Sequence, residues 1–371
     1  FNRLDQPMTL GYSTAGEVVA IGEGLKGFQV GDRVACAGGG YAAHAEYNLV
    51  PQNLLTRLPD SVSYEAAAFT TLGAIAMHGF RLASPQVGER VAVIGMGLLG
   101  LLAAGIARAA GCAVLGVELN PARIELACRL GYQTVSPGEA AESGAAFTRQ
   151  MGFDAVLICA DTKGNDTVEL AGLLARDRGK VVAVGAVGMD LPRKIYYEKE
   201  IQFLISRSYG PGRYDPQYEE RGVDYPPGFV RWTQGRNFDS FVQLLGSGRL
   251  EIDPLISHRF PIEQAGEAYQ LITGKTGQAF LGVLLTYPGV AQTERKVRLL
   301  PAAAAVPGAA LRGLGVLGAG NYASAVFLPV VKKVGRIPRR VVATASGLSA
   351  RHAAGRYGWD RLASRTNWRT F

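Results

Sequence analysis

The sequence predicts an α/β protein: a doubly wound parallel sheet carried beside a smaller, β-rich region. Three observations lead there. Short all-apolar runs such as Arg90–Ile94 and Ala113–Val117 alternate with helix-periodic segments, which is the pattern of βαβ units in a buried parallel sheet. A glycine loop, Gly95-Met-Gly97-Leu98-Leu99-Gly100, lies between the first of those runs and its helix. The stretch from Gly11 to Arg57 has another texture, of short alternating runs punctuated by glycine, and reads as antiparallel β. At 371 residues the chain is too long for one ordinary core, so two or three domains are expected.

In chain order, strands are expected over Glu17–Ile21, Arg33–Ala37 and Ala43–Val50, followed by helical spacing from Ser63 to Ala83. Arg90–Ile94 is a buried strand, and Leu98–Ala110 is a helix closed by Gly111. Ala113–Val117 is the next strand. Asn120-Pro121 then supplies an N-cap and a first-turn proline for a helix to Leu130, which Gly131 ends. Further strands are expected at Ala155–Cys159, Lys180–Val184 and Gln278–Leu285, with helices at Phe238–Leu245 and Ile262–Ile272. The Tyr/Pro/Gly-rich segment 205–235 reads as ordered loop. The Ala/Pro-rich segment 288–310 reads as a linker, and a fresh strand–loop–helix starts at Leu314.

Composition excludes several classes. Apolar residues make up 48% and charged residues 19%, too ordered a balance for a disordered chain. The 48 glycines follow no collagen period and so punctuate turns and loops. Four cysteines (Cys36, Cys112, Cys128, Cys159) without a C-x-x-C pair exclude a disulfide scaffold and a four-cysteine zinc module, and fit a reducing cytoplasm. The longest apolar stretch, Val91 to Ala110, is interrupted by glycines and Arg108, so no membrane span is expected. The formal charge of +8 is uneven: from Glu294 onward there are 14 Lys/Arg against 2 Asp/Glu, and the remainder carries 25 against 29. A nucleic-acid surface would spread basic residues over one face among aromatics, so no nucleic-acid partner is expected. The first residue is Phe1, and a strand-like run follows almost at once without partners. With an aperiodic C-terminus as well, the chain reads as a piece of a longer polypeptide.

The first glycine loop carries the chemistry. Gly95 makes the tight turn, Gly97 lets a pyrophosphate approach the backbone at Leu98 and Leu99, and Gly100 lets helix and strand pack closely. The helix N-terminus offers N–H groups and a positive dipole end to phosphates. Glu118 follows the second strand at the position that accepts ribose hydroxyls, and its charge repels a 2′-phosphate. NAD is therefore the expected cofactor, while Arg123, five residues on, keeps NADP possible. Ala160 and Gly185, directly after two of the later strands, complete the expected cofactor rim. A second loop, Gly315-Val-Leu-Gly318-Ala-Gly320, has the same architecture, but the strand after it ends without a carboxylate. Only about sixty residues follow Leu311, half of what a complete dinucleotide fold needs.

Leu10-Gly-Tyr-Ser, Gly16-Glu-Val-Val-Ala-Ile-Gly22, Phe28-Gln-Val-Gly-Asp-Arg-Val34, the glycine loop and His258-Arg-Phe-Pro-Ile-Glu-Gln-Ala265 together resemble the medium-chain dehydrogenase/reductase superfamily. Tyr209-Gly-Pro-Gly-Arg-Tyr-Asp-Pro216, Tyr225–Thr233 and Gly318-Ala-Gly-Asn-Tyr-Ala-Ser324 resemble a bi-domain subgroup within it, in which such a unit is fused to a domain like glucose-fructose oxidoreductase and inositol dehydrogenase. The resemblance implies a GroES-like catalytic domain from residues 1–86 and 211–286, with its first strands missing. It implies a Rossmann NAD-binding domain at 87–210, a linker at 287–310 and an incomplete second Rossmann domain at 311–371. It further implies a small carbohydrate-derived substrate, a sugar or sugar nucleotide of cell-surface polysaccharide metabolism, and leaves room for a homo-oligomer.

Where zinc-dependent members of that superfamily carry Gly-His-Glu, this chain has Gly11-Tyr12-Ser13, and their cysteine ligand falls near Thr70. Phenol and aliphatic hydroxyl are poor zinc ligands, so no metal is expected. The hydride-transfer oxyanion would then rely on hydrogen-bond donors: Tyr12, with Thr70 or Tyr41 in support and His44 near the cleft. Tyr209, Arg213 and Arg231 either contact a polar substrate or brace their loop. Two function classes fit these features: a zinc-independent, NAD-linked oxidoreductase, and a dinucleotide-binding scaffold or sensor without catalysis.

Overall fold

The computed structural model describes residues 9–289, 296–298, 313–345 and 347–364. The chain divides into two compact units, the larger spanning Leu10–Tyr287.

In the larger unit, β1 (Ser13–Glu17), β2 (Arg33–Ala37) and β3 (Leu55–Arg57) form an antiparallel sheet in that order. The expected strand at Ala43–Val50 is instead a loop, tied by Asn48, whose side chain accepts from Ala43 N and donates to Ala43 O. The expected helix from Ser63 is two helices, α1 (Tyr64–Ala67) and α2 (Thr70–Ala83). The break is made from a distance: Ser13 Oγ donates to Ala68 O at 2.6 Å, and the same oxygen accepts from Thr71 N. Thr70 is thereby the first residue of a helix rather than part of its middle.

Next comes a six-stranded parallel sheet. Its strands are β4 (Arg90–Ile94), β5 (Ala113–Val117), β6 (Gln133–Val135), β7 (Phe153–Ile158), β8 (Ala175–Ala183) and β9 (Gln202–Ile205). They lie in the order β6-β5-β4-β7-β8-β9, with β4 directly beside β5, Arg90 opposite Ala113. The order reverses on either side of β4, which puts a switch point at the end of β4 where the glycine loop begins. Alternation along β4 sorts its side chains onto two cores. Val91 and Val93 face one with α3 (Leu98–Ala109) and α2, while Ala92 and Ile94 face the other. That second face is covered by α5 (Ala140–Phe147) and α6 (Asp166–Leu174). The intervening α4 (Pro121–Arg129) opens as expected on Asn120, whose side chain accepts from Ala122 N.

After α7 (Arg193–Glu198) and β9, the segment expected as loop contains one short helix, α8 (Pro216–Glu219). It leads to α9 (Gln234–Gly246), β10 (Ile256–Pro261), α10 (Ala265–Ile272) and β11 (Gly282–Thr286), with β10 and β11 paired in parallel.

The smaller unit contains β12 (Lys296–Arg298), β13 (Leu314–Leu317), α11 (Leu328–Val334), β14 (Arg339–Thr344), α12 (Gly347–Tyr357) and β15 (Arg361–Ser364). Its sheet runs β12-β15-β14-β13, around a core centred on Trp359, Leu328 and Val342. The expected linker therefore holds a strand: β12 pairs antiparallel with β15. Residues 290–295 and 299–310 of that expected linker lie outside the described residues.

Candidate functional site

The glycine loop folds as its spacing requires. Gly95 has φ +91° and its N–H donates to Val117 O, turning the chain at the end of β4. A Cβ on Gly100 would lie 1.8 Å from Gly95 O, so this glycine is demanded by helix–strand packing. Gly97 differs. Its backbone is ordinary (φ −71°, ψ −169°), and among the described residues the one atom near a Cβ there would be Arg123 Nη1 at 3.8 Å. No contact with the described residues requires a glycine at 97. The space it keeps open lies at the uncapped N-terminus of α3 and beside a guanidinium, surroundings that suit a phosphate. The residues present thus fit a dinucleotide.

Glu118 is buried just past β5, and both its oxygens already hold backbone: Oε2 accepts from Met96 N at 2.8 Å and Oε1 from Asn120 N at 3.0 Å. It fixes the glycine loop, and each oxygen keeps a second lone pair for a ribose hydroxyl. Ala160 and Gly185 lie on the same rim in close contact, since a Cβ on Gly185 would be 2.0 Å from Ala160 O. Gly318 and Gly320 form a similar turn after β13 in the smaller unit, with open space at both Cβ positions.

Tyr12 and Thr70 come together at the N-terminus of α2, and His44 lies against the adjoining Gly11. Tyr12 precedes β1, and its carbonyl accepts from Thr71 Oγ1 and from Gly38 N. Its phenol is half-exposed, and partial burial raises its pKa, keeping it a donor. Thr70 is fully buried, with no hydrogen-bond partner for its hydroxyl. His44 packs on Gly11, whose φ of +90° and missing Cβ leave room for the imidazole. Its Nε2 lies 3.0 Å from Tyr269 Oη, and burial lowers its pKa, favouring the neutral ring. Tyr269, on α10, was not singled out by the sequence. Burial raises the pKa of its phenol and of the Tyr209 phenol, so both keep their protons.

The loop after β9 sorts its ambiguous residues. Arg213 holds both oxygens of Glu219 from Nη1, at 2.9 Å each, in a largely buried pair. Arg231 lies over the Trp232 ring, whose centroid is also 3.2 Å from the Arg81 guanidinium. Both arginines therefore brace the loop. Tyr41 packs under Gly38 in the cluster that contains Tyr209.

As a zinc cage the site does not fit. On the likeness to zinc enzymes, their imidazole and thiolate ligands fall at Tyr12 and near Thr70, a phenol and an aliphatic hydroxyl that zinc disfavours. Among the described residues no group of three or more His, Cys, Asp or Glu could hold a metal ion.

Two domain families match the chain: the alcohol dehydrogenase GroES-like domain over residues 1–60, and the zinc-binding dehydrogenase domain over residues 99–220. Over these two stretches the chain is similar to zinc-type alcohol dehydrogenases. It is 26% identical to a sorbitol dehydrogenase of Bacillus subtilis over 72% of this chain and 78% of that protein. A D-xylulose reductase of Saccharomyces cerevisiae is 28% identical over the same shares. Among solved structures, 2R,3R-butanediol dehydrogenase from Bacillus subtilis superposes with a TM-score of 0.60 at 25% identity, covering 75% of this chain and 80% of that one. Galactitol-1-phosphate dehydrogenase from Escherichia coli gives 0.62 at 25% identity, covering 75% and 84%. These relatives are named dehydrogenases and reductases, and the likeness makes this protein an NAD(P)-dependent oxidoreductase.

Proposed function

We propose that the protein interconverts a carbohydrate-derived alcohol and its carbonyl with NAD in preference to NADP, and does so without a catalytic zinc. The open cradle at Gly97 carries the cofactor reading, because only an external group makes use of it. The bound nicotinamide would supply or accept the hydride. The chain's own residues do the rest: the α3 N-terminus and Arg123 take the pyrophosphate, and Glu118 orients the adenosine ribose and disfavours a 2′-phosphate. Hydroxyl groups at the start of α2 hold the reacting oxygen. Support for a polyol or sugar substrate comes from the relatives' names: sorbitol, D-xylulose and galactitol 1-phosphate are all polyhydroxylated. The likeness to the bi-domain subgroup adds sugar nucleotides of cell-surface polysaccharide metabolism to that class.

The deciding measurement pairs metal analysis of the purified protein with NADH and NADPH fluorescence titrations. We expect less than a tenth of an equivalent of zinc, and NADH binding tighter than NADPH binding. Stoichiometric zinc removable by a chelator together with activity would overturn the metal-free reading. Absence of dinucleotide binding would overturn the assignment as a whole.

A further inference from the structure

A cavity of about 690 Å³ lies in the larger unit, and neither the glycine loop nor Tyr12, Thr70 or His44 lines it. Its volume falls within the ~300–1,000 Å³ of small-molecule sites. One wall is α9, which divides its side chains between two tasks. Phe241 fills the space that a Cβ on Gly73 of α2 would need, and Phe238 shares a cluster with Ala74 of the same helix. Gly235, Arg236, Asp239 and Gln243 line the cavity instead. The other wall is β3 with Gln52 and Asn53 ahead of it, and Phe28, Tyr218 and Asp224 complete the lining. Thr56 Oγ1 donates to Asp239 Oδ1 and so ties β3 to α9, which fixes the walls before any ligand arrives.

The charges of the lining balance, Arg57 and Arg236 against Asp224 and Asp239. Arg236 is fully engaged: Nη2 donates to Asp224 Oδ2, and Nη1 donates to Thr233 Oγ1 and Val230 O. Elsewhere the lining keeps hydrogen-bonding capacity unused. Arg57 donates only from Nε, to Asp32, and its guanidinium lies 5.3 Å from the Phe28 ring centroid. Asp239 Oδ2 has no partner among the described residues, and neither do the side-chain amides of Gln52 and Gln243. Asp239 and Gln243 stand one turn apart on the same face of α9.

We propose that this cavity binds a neutral saccharide at a place separate from the site of hydride transfer. A sugar hydroxyl donates and accepts together, so it suits a carboxylate, a guanidinium and amides presented side by side. Asp239 and Gln243 hold it from the α9 wall, and Arg57 and Gln52 from the other. Phe28, Leu58 and Val242 supply apolar surface for its C–H groups. The balanced charge leaves no excess of cations to select a phosphate.

The test is saturation-transfer NMR on the full chain, with D-glucose and maltose as neutral probes and D-glucose 6-phosphate as the anionic one. At least one neutral probe should bind. Asp239→Asn keeps an acceptor for Thr56 but removes the charge, and it should weaken that binding by about 10-fold or more. The double variant Gln52→Ala with Gln243→Ala should do the same, by about 10-fold, with circular dichroism unchanged. Should Asp239→Asn fail to fold, the double variant decides, because neither glutamine side chain bonds to the fold. The assignment is overturned if neither neutral probe binds, if the variants bind them as tightly as the parent, or if only glucose 6-phosphate binds. None of these outcomes depends on the oxidoreductase reading.

Discussion

Gly97→Ala separates a glycine kept for a ligand from one kept for the fold. At Gly97 an added methyl meets no protein atom closer than 3.8 Å, and the backbone is in a region alanine adopts freely. The substitution should therefore stabilise the apo-protein by ~0.4–1 kcal/mol, through lost freedom of the unfolded chain. At Gly100 the methyl would sit 1.8 Å from a carbonyl oxygen that belongs to the same tight turn. The backbone must move, at a cost of ~1–3 kcal/mol or more. In a domain of this size 1 kcal/mol moves Tm by roughly 2–4 °C, so the two variants should melt several degrees apart and on opposite sides of the parent. Dinucleotide affinity reverses the comparison for Gly97→Ala. The methyl fills the cradle, and a loss of 10- to 100-fold in NADH affinity, ~1.4–2.7 kcal/mol, is expected from the more stable protein. Thermal unfolding without ligand and NADH fluorescence titration measure the two quantities separately. If Gly97→Ala bound NADH as tightly as the parent, or were as unstable as Gly100→Ala, the phosphate-cradle argument would be wrong.

Three further outcomes follow from the same structure. Glu118→Ala removes the acceptor for Met96 N and Asn120 N, worth ~1.5–3 kcal/mol per charged hydrogen bond, so NADH should bind at least 10-fold more weakly and the preference over NADPH should narrow; paired titrations check the ratio. Burial pushes the Cys36 thiol up to about 11 and the Cys159 thiol up to about 12, whereas Cys128 is exposed. Iodoacetamide at pH 8 should label Cys128 well ahead of the other three, as read by peptide mass spectrometry, and equal labelling would contradict the buried environments. Burial also lowers the pKa of His44 and of His78, the latter with help from the Arg81 charge, relative to about 6.5 in the unfolded chain. The fold thus binds fewer protons there, and its stability is intact above about pH 6.5 and falls as pH drops through the folded values; urea unfolding at pH 7.5 and 5.5 should show the loss, and His78→Gln should reduce it.

Much of what near neighbours in the chain set was readable from the sequence, though the Asn48-tied loop at 43–50 was not. The β4 and β5 strands matched residue for residue, because an all-apolar run between glycine turns has one buried use. Missed features depend on distant partners. No local pattern announces the break between α1 and α2, since Ser13 imposes it across 55 positions. Polar Arg176-Asp177-Arg178 hid the first half of β8, which is held by pairing Phe153 with Ala175. At the candidate site, Tyr12, Thr70 and His44 were chosen from their places in motifs. Tyr269 sits 225 positions from His44, and the buried, unmatched hydroxyl of Tyr209 becomes visible only in the structure.

On the proposed zinc-free reading, hydroxyls that stand where metal ligands would be must supply the stabilisation themselves. A preorganised donor to an oxyanion contributes ~2.7–4 kcal/mol, so a pair supplies ~5–8 kcal/mol, the lower edge of what enzymes remove from a barrier. Alignment of two bound reactants adds up to ~7–11 kcal/mol, which brings the total into range without a Lewis acid. Donors deliver that contribution only if they are fixed before substrate arrives, because a metal orients its ligand by its own bonds and a hydroxyl does not. Here Thr70 is fixed by a helix start that Ser13 creates from another strand. The buried Arg213–Glu219 pair orders segment 205–235 in the same way, and on the zinc-free reading such bracing is what gives neutral donors the positional certainty that coordination would otherwise provide.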